Sequence, residues 1–318
     1  MQRCARGASF AIASLALFTV SLPTETSAQV SVQARERVQH VNQGVVGFMG
    51  ASRTGTGTRI ADETAHVLND DVGYTLRILP IVGRGSVRNI EDLLYLRGID
   101  VTLVQSDVMD FFEQQNDTTA MSKVVYITKM YEEEFHILAP EYIRTVDDLN
   151  GRKVNFGLAP TGSFMTASIV FDNLGVTPEV LADDHAIALD KMRRGEIDAV
   201  SYTGGSPVDI FQGLPANSGF HFLEIPIERL QGTSYVQAQL TSDLYPNLIP
   251  PGQTLNTVAA SAVMVAYDWP RDHPRRANLE RFVDALKGNL DVLQQGEQYH
   301  KKWRTVDFSA EVPGWRRF

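Results

Sequence analysis

The sequence has a single cysteine, Cys4, and no excess of basic residues. One cysteine cannot form an internal disulfide or a cysteine-rich zinc site, so both kinds of stabilisation are excluded. Lysine and arginine number 29 against 38 aspartate and glutamate residues, which gives a formal net charge of -9. Because surfaces that bind nucleic acid usually carry a basic excess, this balance argues against a DNA- or RNA-binding protein.

Motifs for catalysis and for metal binding are also missing. The 7 histidines include no pair at i, i+3 or i, i+4, so the sequence has no helical metal motif. It has no Gly-x-Ser-x-Gly nucleophile elbow and no phosphate loop ending in Gly-Lys-Ser/Thr. We therefore expect no bound metal, no cofactor and no enzymatic activity.

An uncharged apolar run near the N-terminus has the surroundings of a signal peptide. Two arginines precede the apolar run from Phe10 to Val20, and the small residues Thr26–Ala28 follow it. These three parts are typical of a secretory signal peptide, and the run is shorter than the ~20 residues that a membrane-spanning helix needs. We expect residues 1–28 to be a signal peptide that is cleaved after about Ala28, and the exported chain to be periplasmic.

Strand patterns and helix patterns alternate along the rest of the chain. Strands are predicted at 45–49, 74–79, 101–104, 123–128, 135–139, 153–156, 197–200 and 257–267. Helices are predicted at 59–69, 87–96, 145–149, 164–174, 185–194 and 278–293. This alternation favours the α/β class, in two units of similar size whose mainly parallel sheets are flanked by helices.

Loops of small residues follow several of these strands. They lie at 50–58, 83–86, 105–107, 159–163 and 203–207. Ligands of open parallel sheets bind beyond the carboxyl ends of the strands, so we expect these loops to converge on one cleft. Their N–H groups and the helix N-termini that follow them favour an anion.

Two histidine-containing segments have more than one interpretation. His136 lies in an apolar strand, and a buried histidine with hydrogen-bond partners is favoured there over a ligand. Asp183–His185 resembles a metal cluster, but an acidic N-cap at the start of a helix explains the same residues.

A dinucleotide-binding pattern is also present. The segment Gly55–Ala61 is close to G-x-G-x-x-A, with one additional residue before the alanine, between a strand and a helix, and Arg84 follows the next strand, where a 2′-phosphate partner is found. An NADP-dependent oxidoreductase is therefore an alternative. The long loop before the glycine pair and the predicted export signal argue against it.

Several segments together resemble those of TAXI-type solute-binding proteins, the extracytoplasmic receptors of TRAP transporters. For example, Gly98–Asp107 resembles the family's G-x-A-D-L-G-I-V-Q-S-D, and Ala159–Ala167 resembles its P-x-S-G-T-x-x-T-A. The segments that carry the resemblance, in the family's order, are Val82–Ile90, Gly98–Asp107, Thr145–Val154, Ala159–Ala167, Met192–Ala199 and Gly204–Pro207.

The resemblance implies a type II periplasmic-binding-protein-like clamp of two lobes. Lobe I would comprise residues 41–137 and 255–318, and lobe II residues 138–254. The implied function is capture of a small organic anion (a dicarboxylate, a keto acid or an amino acid) by a monomer that delivers it to the membrane permease of a TRAP transporter. A ligand sensor that acts on a membrane signalling partner is the alternative within the same fold.

The resemblance also implies which residues bind the ligand. Arg53 and Arg84 are the candidate carboxylate partners, since a guanidinium offers a planar pair of donors. Asp107 is the candidate partner of a ligand ammonium group. The full set is Ser52, Arg53, Thr54, Arg84, Ser86, Gln105, Ser106, Asp107, Thr161, Gly162, Ser163, Thr166, Gly204 and Gly205.

Two segments depart from the family's pattern. The first loop, Arg53–Arg59, lacks the family's paired tyrosines, and Gly252–Leu255 lacks the tyrosine of a later Gly-Thr-Tyr segment. Because both lie near the family's ligand, the identity of the ligand stays open.

Overall fold

The computed structural model describes residues 32–38, 42–53, 55–71, 76–114 and 121–318. Contacts group the chain into two units, Met1–Gln43 and Gly44–Phe318. In the first unit, residues 32–38 are helical. The predicted signal peptide, residues 1–28, lies outside the described residues. Within the described ranges, no helix is both long and apolar enough to cross a membrane.

The second unit contains a sheet and the helices that flank it. Its strands are β1 (Val45–Met49), β2 (Arg77–Ile81), β3 (Val101–Gln105), β4 (Val124–Pro140), β5 (Lys153–Asn155), β6 (Glu179–Leu181), β7 (Ala199–Gly204), β8 (Phe220–Phe222), β9 (Val236–Thr241) and β10 (Thr254–Tyr267). Its α-helices are α1 (Thr56–Asp71), α2 (Ser86–Tyr95), α3 (Ser106–Gln114), α4 (Gly162–Leu174), α5 (His185–Arg193), α6 (Asp209–Gln212), α7 (Pro274–Gly288) and α8 (Leu290–Gln295). Short 3-10 helices lie at Val146–Leu149, Ile227–Leu230 and Lys301–Thr305.

The first half of the sheet has the strand order β2-β1-β3, and these strands are parallel. Every residue of β3 is buried, as expected for an apolar strand that is covered on both faces. Asn89 in α2 holds two strand ends together, because its amide Nδ2 donates to the carbonyl oxygens of Gly50 at 2.7 Å and Leu103 at 3.2 Å.

Two long antiparallel strands, β4 and β10, join the first half of the sheet to the second. The strands predicted at 123–128 and 135–139 both lie in β4, and the predicted break between them is wrong because β4 is continuous. Polar residues in its middle hide the strand pattern, and each is accommodated locally: for example, Lys129 forms an ion pair with Glu132 at 2.5 Å.

The second half of the sheet repeats the arrangement of the first. Strands β7, β5 and β6 are parallel to one another, and β7 pairs with β4. Strands β8 and β9 add antiparallel partners to β4 and β10. The structure confirms the predicted α/β class, with parallel strands flanked by helices in each half and antiparallel pairing between the halves.

The apolar core divides along the same line. Val46 and Phe48 belong to one cluster and Met49 to a second on the opposite face of the first half. Ile137 belongs to a third cluster and Leu138 to a fourth, on opposite faces of the second half. Each half of the sheet therefore has its own core on both faces.

The predicted helix at 278–293 is wrong as a single element. Helix α7 begins earlier, at Pro274, with the His273 side chain accepting from the backbone N–H of Arg275. It ends at Gly288, and Asn289 separates it from α8, which begins at Leu290. Proline is favourable in the first turn of a helix because its missing N–H would have no intrahelical partner there.

The interpretations of His136 and Asp184 are confirmed. His136 is fully buried, with its Nε2 2.8 Å from the Tyr245 hydroxyl, and burial lowers its pKa to about 3. The Asp184 side chain accepts from the backbone N–H of Ala186 and so caps α5.

Candidate ligand-binding cleft

A cavity of about 690 Å³ lies beyond the carboxyl ends of β1, β3 and β7. Both halves of the sheet contribute to its wall, and so do all of the small-residue loops that were expected to converge. The lining residues are 51–53, 55–57, 85–86, 89, 103–105, 133, 158, 161–163, 184–186, 202–204, 209–210 and 262.

Several helices begin at this cavity. The first residues of α1, α2, α4 and α5 line it, so the positive ends of these four helix dipoles lie at the cavity wall. Thr161 caps α4 by accepting from the N–H of Phe164. This arrangement favours the negatively charged end of a ligand.

Two loops that face each other across the cavity approach closely at glycines. Gly85 has a φ of 95°, and a Cβ there would lie 3.0 Å from the Cα of Thr161. A Cβ on Gly162 would overlap the side-chain oxygen of Gln105. Larger residues at these positions would therefore push the two loops apart.

One face of the sheet forms the floor of the cavity. Ala262 of β10 pairs with Gln105 of β3 on one side and with Tyr131 of β4 on the other, so these three side chains share one face of the sheet. Glu133 follows two residues after Tyr131 and therefore lies on the same face. Thr203 pairs with Phe135 and shares that face. The Thr203 side chain is 7% exposed, and its hydroxyl has no hydrogen-bond partner among the described residues.

Glu133 is the carboxyl group on this floor. Burial raises its pKa to about 8, and the negative charges of Asp107 and Glu134 add to this effect. Lys302 and the Tyr131 hydroxyl act in the opposite direction. An acid in this environment holds its proton at neutral pH unless a cation comes close to it.

Arg53 brings the positive side chain to the cavity. It is exposed and also lines a smaller adjoining cavity of about 350 Å³. His185 lines the cavity as well, but burial lowers its pKa and its Nε2 lies 3.0 Å from the carbonyl oxygen of Ser201. His185 is therefore neutral at physiological pH.

The structure brings many of the predicted site residues to the cavity and leaves others away from it. Those that line it are Ser52, Arg53, Ser86, Gln105, Thr161, Gly162, Ser163 and Gly204. Those that do not line it are Arg84, Ser106, Asp107, Thr166 and Gly205. Thr54 lies outside the described residues.

Arg84 is turned outward. Its guanidinium donates to both carboxylate oxygens of Asp92, at 3.0 and 3.1 Å, and 65% of its side chain is exposed. Arg84 therefore has an anionic partner, Asp92, outside the cavity.

Asp107 is buried and already has partners. Its Oδ2 accepts from the hydroxyls of Thr166 at 2.7 Å and Tyr235 at 2.8 Å. Burial raises the pKa of Asp107, and these hydrogen bonds oppose the rise. Gln105 joins the same network, because its Nε2 donates to the Thr166 hydroxyl at 3.2 Å. The network ties the first half of the sheet to α4.

Other predicted residues also connect segments. Ser106 accepts from the backbone N–H of Ser261, and the carbonyl oxygen of Gly205 accepts from the hydroxyl of Thr56. The hydroxyl of Ser163, although it lines the cavity, accepts from the N–H of Thr203.

Two cavity residues within strands, Glu133 on β4 and Tyr202 on β7, were not predicted from the sequence. The predicted site residues come from loops and helix starts, and these two side chains lie inside strands. A signal was available, because three consecutive glutamates in an otherwise apolar strand are unusual. Among the described residues, no group of three or more His, Cys, Asp or Glu side chains could hold a metal ion.

A comparison with protein families finds one match, which covers most of the chain. Residues 51–272 match the model of the NMT1-like family.

Solved structures with a distant likeness include solute-binding proteins. The alkanesulfonate-binding protein SsuA from Xanthomonas axonopodis pv. citri is 13% identical, with 79% of this chain and 74% of that chain covered, at a TM-score of 0.48. The arginine-specific periplasmic binding protein from Salmonella typhimurium is 14% identical, with 82% and 98% covered, at a TM-score of 0.48. At these values the likeness does not bear on what this chain binds.

Proposed function

This chain belongs to the NMT1-like family, and we propose that it is an extracytoplasmic solute-binding receptor of the TAXI type for a TRAP transporter. The observation that carries the proposal is the cavity of about 690 Å³ on which four helix N-termini of the described chain converge. A cavity of this size suits a small molecule, and its walls come from both halves of the sheet.

The proposed receptor works as a clamp of two lobes. Lobe I comprises residues 41–137 and 255–318, and lobe II comprises residues 138–254. The separate apolar cores of the two halves support this division, and β4 and β10 are the connections about which the lobes would close. A ligand stabilises the closed form only by contacting both lobes, which the two-sided lining of the cavity allows.

The proposed ligand is a small organic acid. Its carboxylate would lie among the N-termini of α1, α2 and α4, with Arg53 as the cationic side chain at the mouth. Backbone N–H groups at helix N-termini bind carboxylates without an additional ion, and a guanidinium adds a charge-assisted contact.

The location and the partners complete the proposal. The chain would be exported by residues 1–28, act in the periplasm as a monomer, and deliver its ligand to the membrane permease of the transporter. The motif segments from Val82 to Pro207, which resemble those of TAXI receptors, support this part.

A thermal-shift screen of the purified chain tests the binding function. The panel contains dicarboxylates, keto acids, amino acids and NADP. A ligand that binds only the folded state raises its stability by RT ln(1 + [L]/Kd), so a small organic acid should raise the Tm in a concentration-dependent way. A rise with NADP alone would instead favour the oxidoreductase, and no rise with any organic acid would contradict the proposal.

A further inference from the structure

We infer that Glu133 receives a protonated nitrogen of the ligand, so that the cleft selects a zwitterion, a small carboxylic acid that carries an amine, over a dicarboxylate or a keto acid. The inference rests on the proposed binding function and narrows its ligand class. It assigns the ammonium contact to a residue of the sheet floor and not to Asp107, whose carboxylate is occupied by Thr166 and Tyr235.

Three consecutive glutamates on β4 have different surroundings. Glu132 pairs with Lys129 at 2.5 Å, and Glu134 pairs with Lys302. Glu133 lies on the opposite face of the strand from both and lines the cavity. No lysine, arginine or histidine of the described chain forms an ion pair with it. Of these three glutamates, Glu133 is the one that lines the cavity and the one without a cationic partner among the described residues.

A polar group beside Glu133 lacks a hydrogen-bond partner among the described residues. Thr203 and Glu133 are diagonal neighbours on adjacent strands and share one face. The Thr203 hydroxyl is buried at the cavity wall without a hydrogen-bond partner in the described residues. An ammonium group has three donors, so it can satisfy a carboxylate and a hydroxyl at once. Buried polar groups normally have partners, and a ligand amine would supply both.

Another part of the cavity lining favours an anion. There the helix N-termini, including Ser86 of α2 and Gly162 of α4, present N–H groups, and Arg53 adds a positive charge. A ligand with two carboxylates would place one of them beside Glu133, where the ionised form repels it and only the protonated form can donate a hydrogen bond to it. In a ligand with one carboxylate and one ammonium, the carboxylate suits the helix N-termini and Arg53, and the ammonium suits Glu133.

The groups that face Glu133 give this contact a defined pH dependence. Asp107, Tyr131 and Tyr202 act on it electrostatically, and so do Glu134 and Lys302 from the other face of β4. Since burial and the neighbouring acids raise the pKa of Glu133 to about 8, the carboxyl is mostly protonated in the empty cleft at neutral pH. An ammonium ligand needs the ionised form, so its affinity should rise with pH. A ligand carboxylate at the same place would accept a hydrogen bond from the protonated form, and its affinity should fall.

The experiment compares ligands that differ only by an amine. Calorimetric Kd values are measured for L-glutamate against glutarate, 4-aminobutyrate against butyrate, and L-alanine against propionate. The full exported chain is used as wild type, Glu133→Gln and Glu132→Gln. Wild type should bind the best zwitterion at least tenfold more tightly than its deaminated counterpart. Glu133→Gln should remove this preference, and Glu132→Gln should keep it because that glutamate is paired on the other face.

The pH series supplies an independent measurement. With a pKa of about 8, ionisation of the carboxyl increases about eightfold between pH 7 and pH 8.5, so the Kd of the best zwitterion should fall by about that factor in wild type and stay flat in Glu133→Gln. A single cooperative thermal transition in each protein verifies that the variants are folded. If deaminated acids bind as tightly as zwitterions, or Glu133→Gln keeps the preference, the inference is wrong although the receptor stands. If no organic acid of the panel binds wild type, the proposed function itself fails.

Discussion

Arg53 lies at the mouth of the cavity with its side chain exposed, and no acidic side chain of the described residues forms an ion pair with it. A guanidinium without an internal partner is available to a ligand carboxylate. We predict that Arg53→Gln weakens binding of the best organic acid about tenfold, the loss expected for one charge-assisted hydrogen bond. Titration calorimetry with that acid measures the change.

Arg84→Gln is the matched control for this prediction. Arg84 is also a loop arginine after a strand, but its guanidinium is held by Asp92 outside the cavity. Its replacement should change the Kd less than twofold. Equal losses in both variants would indicate long-range attraction by positive charge, and a loss in Arg84→Gln alone would return the carboxylate contact to that residue.

These two arginines also show what a sequence can predict about single side chains. Both follow a strand of the α/β pattern, and nothing in the residue order distinguishes them. The difference comes from Asp92, the seventh residue of α2, which lies within reach of Arg84. Glu133 was missed for a related reason, since its value to the site depends on which of three glutamates faces the cavity, and that is set by the pleat and the pairing of β4.

At the scale of elements, the start of α4 is held close to the end of β3. The side chain of Gln105 lies between the hydroxyls of Ser86 and Thr166, and Gly162 leaves the space that it occupies. This contact joins three elements that line the cavity. A methyl group at Gly162 would displace the Gln105 amide and open the contact between β3 and α4.

We predict that Gly162→Ala destabilises the protein by ~1–3 kcal/mol through overpacking, and that it weakens ligand binding as well. Denaturant unfolding and calorimetry measure the two effects. Gly288→Ala is the control, because a Cβ at this last residue of α7 would meet no atom within 4 Å. The control should leave stability unchanged or raise it, since alanine restricts the unfolded chain more than glycine does. Equal stability of Gly162→Ala and wild type would show that Gln105 moves aside freely.

Elements with a regular apolar period could be predicted, and elements with polar interruptions could not. The strands β1 and β3 and the helix α4 have a continuous apolar pattern or a clear cap and stop, such as Thr161 and Gly175. The middle of β4 reads as a loop because it has polar residues from Lys129 to Glu134. Its extended backbone is fixed by pairing with β10, a strand more than 100 residues later, and no local pattern contains that information.

At the scale of the whole molecule, the charge of the chain and the charge of the cleft have different consequences. The formal net charge of -9 disfavours the approach of an anion, so a carboxylate has to be held by local groups. The helix N-termini that line the cavity supply backbone N–H groups for the carboxylate, and Glu133 adds an acidic group to the same cavity. Burial of that acid also affects the stability of the empty protein, because an ionised carboxyl is costly on the sheet floor.

The sign of this effect follows from the two pKa values of Glu133. Its pKa is raised from 4.5 to about 8 in the folded protein, so the proton is bound more tightly in the folded state than in the unfolded chain. The stability that the protonated group contributes is complete below pH 4.5 and is lost as the pH rises through about 8. Buried histidines such as His136 and His185 have lowered pKa values, so their neutral forms stabilise the folded protein. This stabilisation is fully present above pH ~6.5, the pKa of an unfolded histidine, and so does not change the slope at higher pH.

We therefore predict that the free energy of unfolding of the ligand-free protein falls between pH 6.5 and pH 8, and that Glu133→Gln makes this fall shallower. One proton changes the free energy by at most ~1.4 kcal/mol per pH unit, which sets the upper limit of the difference between the two proteins. Urea unfolding at several pH values measures it, with Glu132→Gln as the control for loss of a glutamate on the same strand. Parallel pH profiles for wild type and Glu133→Gln would mean that Glu133 is already ionised in the empty cleft. Because an ionised Glu133 needs no deprotonation to bind an amine, zwitterion affinity would then lose its rise with pH while the preference for amines remained.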